Sequence, residues 1–391
     1  MKLLTTVVSL AGMLGVMAST SPAQSTAPPR VDVLHVPDGG IQPDVVVDAA
    51  GVLHLVYLTG PPGTADVFYT SSRDGGQGFA TSVRVNSQPG SAVATGTIRG
   101  AQLALGRDGR VHVVWNGSGT AEPKPPVPDG QKPGAPLLYA RSAPGGAAFE
   151  PQRNLITATR HLDGGSSVAA DEAGRVYVAW HGNAIDGVEG EEARRVWLAR
   201  STDDGRTFAA EVPISPAETG VCGCCGLRIA AAGRDVHVLY RAASRMIHRD
   251  VHALRSSNGG RTFDARKVDA WEIGACPMSS MAIVPGGDAM YGWEHDGNVE
   301  FVRGDGASVA PALADPQDAS ARRKHPRLAV GPDGVVLLAW ATGTGWNKGG
   351  AVGWQLFANG APVGPIEARE DLPVWSFPAV AAVGDRFVLL Y

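Results

Sequence analysis

The residues best suited to chemistry sit in one short stretch, Val221-Cys222-Gly223-Cys224-Cys225-Gly226, which holds three of the chain's four cysteines. The fourth, Cys276, follows in a similar setting. Glu218-Thr219-Gly220-Val221-Cys222 and Glu272-Ile273-Gly274-Ala275-Cys276 match in spacing and character. If the chain is built of repeats, both segments occupy the same place in neighbouring units and four sulfurs can meet at one point. Two chemistries compete for such a set. In an exported protein, four cysteines default to two disulfides with three possible connectivities, and a Cys222–Cys276 bridge is one such pairing. Cys224 and Cys225 fit that default poorly, because they are left as a strained vicinal pair or free. The alternative is a soft-metal or redox-active thiolate site, with copper(I) or zinc as the ion. A Cys-x-Cys-Cys run can present two or three sulfurs to one ion, Cys276 could complete the set, and His161 or His325 could replace a sulfur.

Bringing these residues together requires a recurring element, and the chain has one. An apolar run leads through a tight Asp/Gly turn into a second apolar run that ends in an aromatic residue. Asp44 to Gly51 leads into Val52 to Tyr57, Leu103 to Gly109 into Val111 to Trp115, and Leu328 to Gly334 into Val335 to Trp340. Seven copies recur at roughly 50–65-residue spacing, the period of β-propeller blades. Each copy reads as a hairpin forming the two inner strands, A and B, of a blade. The last copy ends with the chain, so Val31 to His35 is expected to join it and close the ring, removing the free sheet edge. The expected fold is all-β, a single propeller over residues 31–391 with seven blades, or six if the weak fifth or seventh copy is not one.

In that topology, residues just before strand A and just after strand B converge on one mouth. The first set contains Gln42, Arg99, His161, the cysteine stretch, Cys276 and His325. The second contains Asn116, His181, Arg241 and Glu294 with His295. Arg241 could hold an anion beside the cysteines. Glu294 could act as an acid/base, or be a solvated rim carboxylate. Arg249 and Asp250 read as an ion pair. His54, His112 and His237 lie within B strands and read as packing. Trp271, Trp346 and Trp375 form a sugar-stacking wall or cover blade tops. The Pro- and Gly-rich loop from Asn116 to Pro136 is long enough to act as a lid.

A second signature follows the third strand of several repeats. Ser201-Thr202-Asp203-Asp204-Gly205-Arg206-Thr207-Phe208 fits Ser-x-Asp-x-Gly-x-Thr-Phe. Ser256 to Phe263 fits with Asn258 for Asp, and Ser72 to Phe79, with Asp74, fits with Gly for Thr. These turns resemble the Asp-box (BNR) repeat of the sialidase superfamily of β-propellers. The resemblance covers nearly all of the chain after its first thirty residues. It implies that Asp74, Asp203 and Asn258 stabilise turns on the face opposite an active site. It also implies a carboxylate-gripping arginine triad, for which Arg99, Arg160 and Arg241 are the candidates. The early Phe/Tyr-Arg-Ile-Pro motif of sialidases has no match, Thr97-Ile98-Arg99-Gly100 being the nearest stretch, and no nucleophilic tyrosine is assigned. The cysteine run, Arg249-Asp250 and Trp271 to Pro277 together also resemble secreted sialidase-like proteins of uncharacterised activity.

The amino terminus carries Lys2, an apolar run from Leu3 to Val16 and small residues at Ser21-Pro22-Ala23, which reads as a signal peptide over residues 1–23. Residues 24–30 read as a flexible lead-in, and the expected location is secreted or periplasmic. The apolar run is too short to favour a membrane span. A net charge of −4 without basic runs argues against nucleic acid. Three functions remain open: a metal or redox centre, an exo-sialidase-type glycoside hydrolase, and a non-catalytic propeller binding a glycan, an acidic small molecule or a protein. Whether the chain is an enzyme stays open, and a monomer is expected.

Overall fold

Short strands of β-branched and aromatic residues alternate here with Asp/Gly turns that close each hairpin locally. Asp48 shows how: its Oδ1 accepts the backbone N–H groups of Ala50 at 2.9 Å and Val52 at 2.8 Å. Asp171 does the same for Ala173 and Arg175. The hairpins grow into seven sheets in the computed structural model, which describes Met1 and residues 28–127, 130, 132–143, 146, 148–311 and 322–391. The proposed signal peptide lies almost wholly outside the described residues.

The inner strands of the seven blades are Ile41–Val47, Gln102–Leu105, Ser167–Ala170, Arg228–Ala232, Ala282–Val284, Arg323–Val330 and Ala379–Val383. Each pairs antiparallel with the next strand in sequence: Leu53–Thr59, Val111–Asn116, Val176–Ala184, Asp235–Arg241, Met290–His295, Val336–Thr342 and Arg386–Leu390. The fifth and seventh repeats are both blades, so the ring has seven and the six-bladed alternative falls. Trp115, Trp180, Trp293 and Trp340, near the ends of second strands, are fully buried. His54, His112 and His237 place Nδ1 2.7 Å from the hydroxyls of Tyr69, Tyr139 and Tyr291, which accords with packing.

Closure comes from the other end of the chain. Val31–Leu34 lies parallel to Arg386–Leu390, with Val31 opposite Phe387 and Leu34 opposite Leu390. Arg386 then ties three segments together: it pairs with Asp32 and donates to the Asp74 carbonyl of the first blade.

Inner strands from all seven blades line an axial space of about 440 Å³. Its mouth end is bridged. Arg228 Nη1 of the fourth blade donates to Asp44 Oδ1 of the first at 3.0 Å and to Gln102 Oε1 of the second at 2.6 Å. Asp44 Oδ2 accepts the Leu103 N–H at 3.0 Å. Both charges are largely withdrawn from water, so removing one leaves the other stranded. Asp44→Ala is expected to cost about 3 kcal/mol of unfolding free energy in urea titrations, and adding Arg228→Met should recover much of it. A loss below about 1 kcal/mol would mean that water screens the pair.

Candidate metal centre

The cysteine loop is held in place from three blades. A short 3-10 turn, Ala217–Thr219, delivers it to Gly220, whose φ of 55° and ψ of −173° suit glycine. A Cβ there would stand 2.3 Å from the Ala243 carbonyl oxygen. The Val221 N–H then donates to Glu191 O at 3.0 Å and the Cys222 N–H to Arg241 O at 2.9 Å. Gly223 O accepts the Gly164 N–H at 2.8 Å, and the Gly226 N–H donates to Ser279 O in the fifth blade at 3.0 Å.

Backbone placement of this kind aims the sulfurs. Cys222 Sγ lies 3.3 Å from Cys224 Sγ and 3.5 Å from Cys225 Sγ. The thiols of Cys222, Cys224 and Cys276 and a Glu191 carboxylate oxygen all lie within 4.8 Å of one another. All four cysteines are free, so the structure draws no disulfide. Donors on a tetrahedral zinc with Zn–S near 2.3 Å stand roughly 3.8 Å apart, so this group has the span of a single ion's ligand set. It runs from buried Cys222 through half-buried Cys224 to exposed Cys276.

Glu191 was not among the sequence candidates. It sits between the second and third strands of the third blade and holds the loop as well as facing it. Its Oε1 accepts the Gly223 N–H at 2.7 Å and its Oε2 accepts Arg249 Nη2 at 2.8 Å. The topology rule could have found it, because this connection opens at the mouth and carries Asp186, Glu189, Glu191 and Glu192. His181, the sequence candidate in this blade, lies within the strand Val176–Ala184 instead.

Of the other metal candidates, Cys225, His161 and His325 fall outside the group of four. Cys225 is adjacent to Cys224 but turns inward, where it feels Arg241 and the Ser279 backbone. His161 has Nδ1 3.3 Å from Asn183 Oδ1 and Nε2 3.7 Å from Glu189. His325 is fully buried, with Nδ1 3.2 Å from Ser280 Oγ, and burial holds its imidazole well below the usual range.

Three thiols this close cannot all ionise freely. Contact with Cys222, then Cys224, holds the Cys225 thiol well below its usual range against burial. Cys224 is pushed up, by Cys222 first and then by Cys225 and burial. Contact with Cys224 pulls Cys222 down, but Cys225 and burial outweigh it and push that thiol up. Two guanidiniums flank the donors. Burial pulls the Arg249 value down, but Cys222, Glu191 and Cys276 outweigh it and hold it high. Burial lowers Arg194 despite Asp163, Glu191, Cys222 and Cys224. The expected Arg249–Asp250 pair does not form as such: Arg249 bonds Glu191, while Asp250 bonds Lys267 at 2.5 Å and the Trp271 N–H at 3.0 Å.

The catalytic candidates are placed as follows. Arg241 is fully buried, donates to Arg249 O at 2.8 Å and Glu294 O at 2.6 Å, and lies 5.0 Å from the centre of a Trp271 ring. Arg99 pairs with Asp163 and donates to Thr95 O at 3.0 Å. Arg160 donates to Gly187 O at 2.8 Å and lies 3.4 Å from Glu189. Each arginine thus has its own partners. Glu294 is buried rather than solvated, and loss of water pushes its carboxyl up to about 7, with Lys324 and Arg241 opposing. On the turns, Asp74 Oδ1 accepts the Gly78 N–H at 2.9 Å, Asp203 Oδ1 the Thr207 N–H at 2.9 Å, and Asn258 Oδ1 the Thr262 N–H at 3.1 Å. All three residues serve their turns.

Glu191→Ala removes both carboxylate bonds to the loop and to Arg249. Urea unfolding should register a loss of about 1.5–3 kcal/mol, and thiol reagents should reach Cys222 faster. Unchanged Cys222 labelling would show that the backbone bonds alone hold the loop.

No protein-family model matches the chain, and no curated protein matches it. Solved structures do. A Hadza microbial sialidase aligns with a TM-score of 0.51 at 14% identity, over 78% of this chain but only 64% of its own. A protein of unknown function from Dyadobacter fermentans DSM 18053 aligns with a TM-score of 0.50 at 15% identity, over 88% of this chain and 98% of its own. Penicillium chrysogenum alpha-L-arabinanase aligns with a TM-score of 0.51 at 12% identity, over 83% and 94%. Identities this low speak to architecture alone: the chain has a sialidase-like β-propeller fold, here with seven blades.

Proposed function

We propose that this chain is an exported propeller whose mouth carries a soft-metal thiolate centre, held by Cys222, Cys224, Cys276 and Glu191. The carrying observation is that these four donors lie within 4.8 Å of one another although they come from three separate segments of the chain. Zinc and copper(I) suit the sulfurs. Charge favours a divalent ion: three thiolates and a carboxylate carry four negative charges, which zinc and the two flanking guanidiniums, Arg194 and Arg249, would cancel. A bound ion would supply Lewis acidity or, with copper, electron transfer. The chain's own residues fix the donors, shield Cys222 from water and leave Cys276 exposed at the entrance.

Protein purified without reductant should carry roughly one equivalent of zinc or copper by elemental analysis. Cys276→Ser, at an exposed position, should lower metal affinity by about tenfold or more while leaving the thermal midpoint of the metal-free protein in place. Two intact disulfides in the mass spectrum, with no metal bound, would reject the centre.

A second reading, binding of a glycan or acidic small molecule, rests on a different part of the same face. Trp346 is 63% exposed and meets Trp375 edge-on at 6.1 Å. With Thr97, Met278 and Lys324 the two rings border a cavity of about 140 Å³. Exposed tryptophan beside an ammonium suits a sugar ring bearing an acid group. Sialyllactose should quench tryptophan fluorescence in the native chain and not in Trp346→Ala. Release of free sialic acid in the same assay would turn this reading into a hydrolase, and no quenching would remove both.

A further inference from the structure

The face away from the cysteines holds a side-chain feature that the metal reading leaves unused. A groove of about 580 Å³ runs between the third and fourth blades. Arg175 and Arg200 reach it from the third blade, and Arg234 and Arg261 from the fourth. Four guanidiniums share one groove in a chain whose net charge is −4. Arg175 is neutralised by Asp171 Oδ2, 2.7 Å from Nε, and its Nη2 donates to Gly233 O at 3.0 Å, which ties the two blades together. Arg200, Arg234 and Arg261 have no ion-pair partner among the described residues.

The floor carries an independent signal. Tyr177 is 1% exposed, and its hydroxyl makes no hydrogen bond of normal geometry among the described residues, with the Arg175 side chain beside it. The matching position holds His54, His112 and His237 in the first, second and fourth blades, each satisfied by a tyrosine hydroxyl at 2.7 Å. The third blade breaks the pattern twice. Its second strand has Tyr177 instead of histidine, and its third strand has Leu198 where the first two blades have Tyr69 and Tyr139. A buried hydroxyl is thereby left beside Arg175, without the tyrosine–histidine bond of the other blades, at the base of a cationic groove. Gly260, with φ of 70°, lets the fourth blade's turn pass over the ring, since a Cβ there would meet Tyr177 Cε1 at 3.2 Å.

We propose that this groove binds a sulfate or phosphate monoester on a sugar-sized carrier. Planar guanidinium forks match tetrahedral oxyanions and hold them in two-pronged pairs. The groove is larger than a bare oxyanion and lies in the size range of small-molecule sites, so a carrier ring fits beside Phe208. The Tyr177 hydroxyl donates to an ester oxygen. Sulfate and phosphate esters share this chemistry, and the experiment separates them.

Calorimetric titration of the full exported chain at low salt, with glucosamine 6-sulfate, glucose 6-phosphate, inorganic sulfate and inorganic phosphate, tests the site. At least one ester should bind more tightly than its inorganic ion. The double variant Arg234→Ala/Arg261→Ala, at exposed positions away from the metal donors, should weaken that binding by about tenfold or more. Tyr177→Phe, which keeps the ring, should weaken it several-fold, and Arg261→Lys should fall between. Arg303→Ala, an exposed arginine elsewhere, should leave it unchanged. The proposal is overturned if none of the four probes binds at millimolar concentration, or if the double variant matches the native chain. Equal weakening by Arg303→Ala would also overturn it, by showing general charge attraction only. Metal content plays no part in these readouts, so the site stands or falls apart from the cysteine centre.

Discussion

Parallel pairing of Val31–Leu34 with Arg386–Leu390 joins the two ends of the chain, and the geometry of the mouth depends on it. Without that strand the seventh blade would present an unpaired edge, and the ring would be an open arc free to spread. An arc does not fix how far the fourth blade stands from the fifth or the third. The cysteine loop needs those distances, because it donates to the Glu191 carbonyl and accepts from Gly164 on one side and donates to the Ser279 carbonyl on the other. Arg386 extends the seam by bonding both Asp32 and the first blade's turn at Asp74. Side chains as well as backbone therefore register the closure.

At the mouth, one carboxylate has two duties. Glu191 faces three sulfurs and also clamps the loop that carries two of them, through the Gly223 N–H and Arg249. The loop's shape and the charge of its donor set are thus linked through one side chain. Arg249 is in turn held near Arg241, which donates to the Arg249 carbonyl and lies over Trp271. The buried arginines of this region act first as struts. Their positive charge also offsets the sulfurs, which is why these thiols can cluster in a place with little water.

Much of this architecture was legible because its determinants are local. Asp48 and Asp171 close their hairpins within four residues, so the turn pattern marks each repeat directly. Strand topology then carried Cys276 to Cys222 and Cys224 without any knowledge of contacts. Features set by tertiary placement were not legible. Glu191 lies in a connection whose path depends on the neighbouring blade. Arg249 and Asp250 are adjacent at the entry to an extended strand, so their side chains point to opposite sides and find different partners. Cys225 shows the same effect beside Cys224, facing the interior while its neighbour faces the entrance. Glu294 looked like a rim residue by its position after a strand, but the packing of adjacent blades covers it.

The bond from Arg228 to Asp44 crosses the ring between blades far apart in the chain. It sits where the axial space meets the loop side. That tie puts a charged crossbar at the centre of the mouth, so a solute approaching the thiols meets the rim residues before it meets the axis.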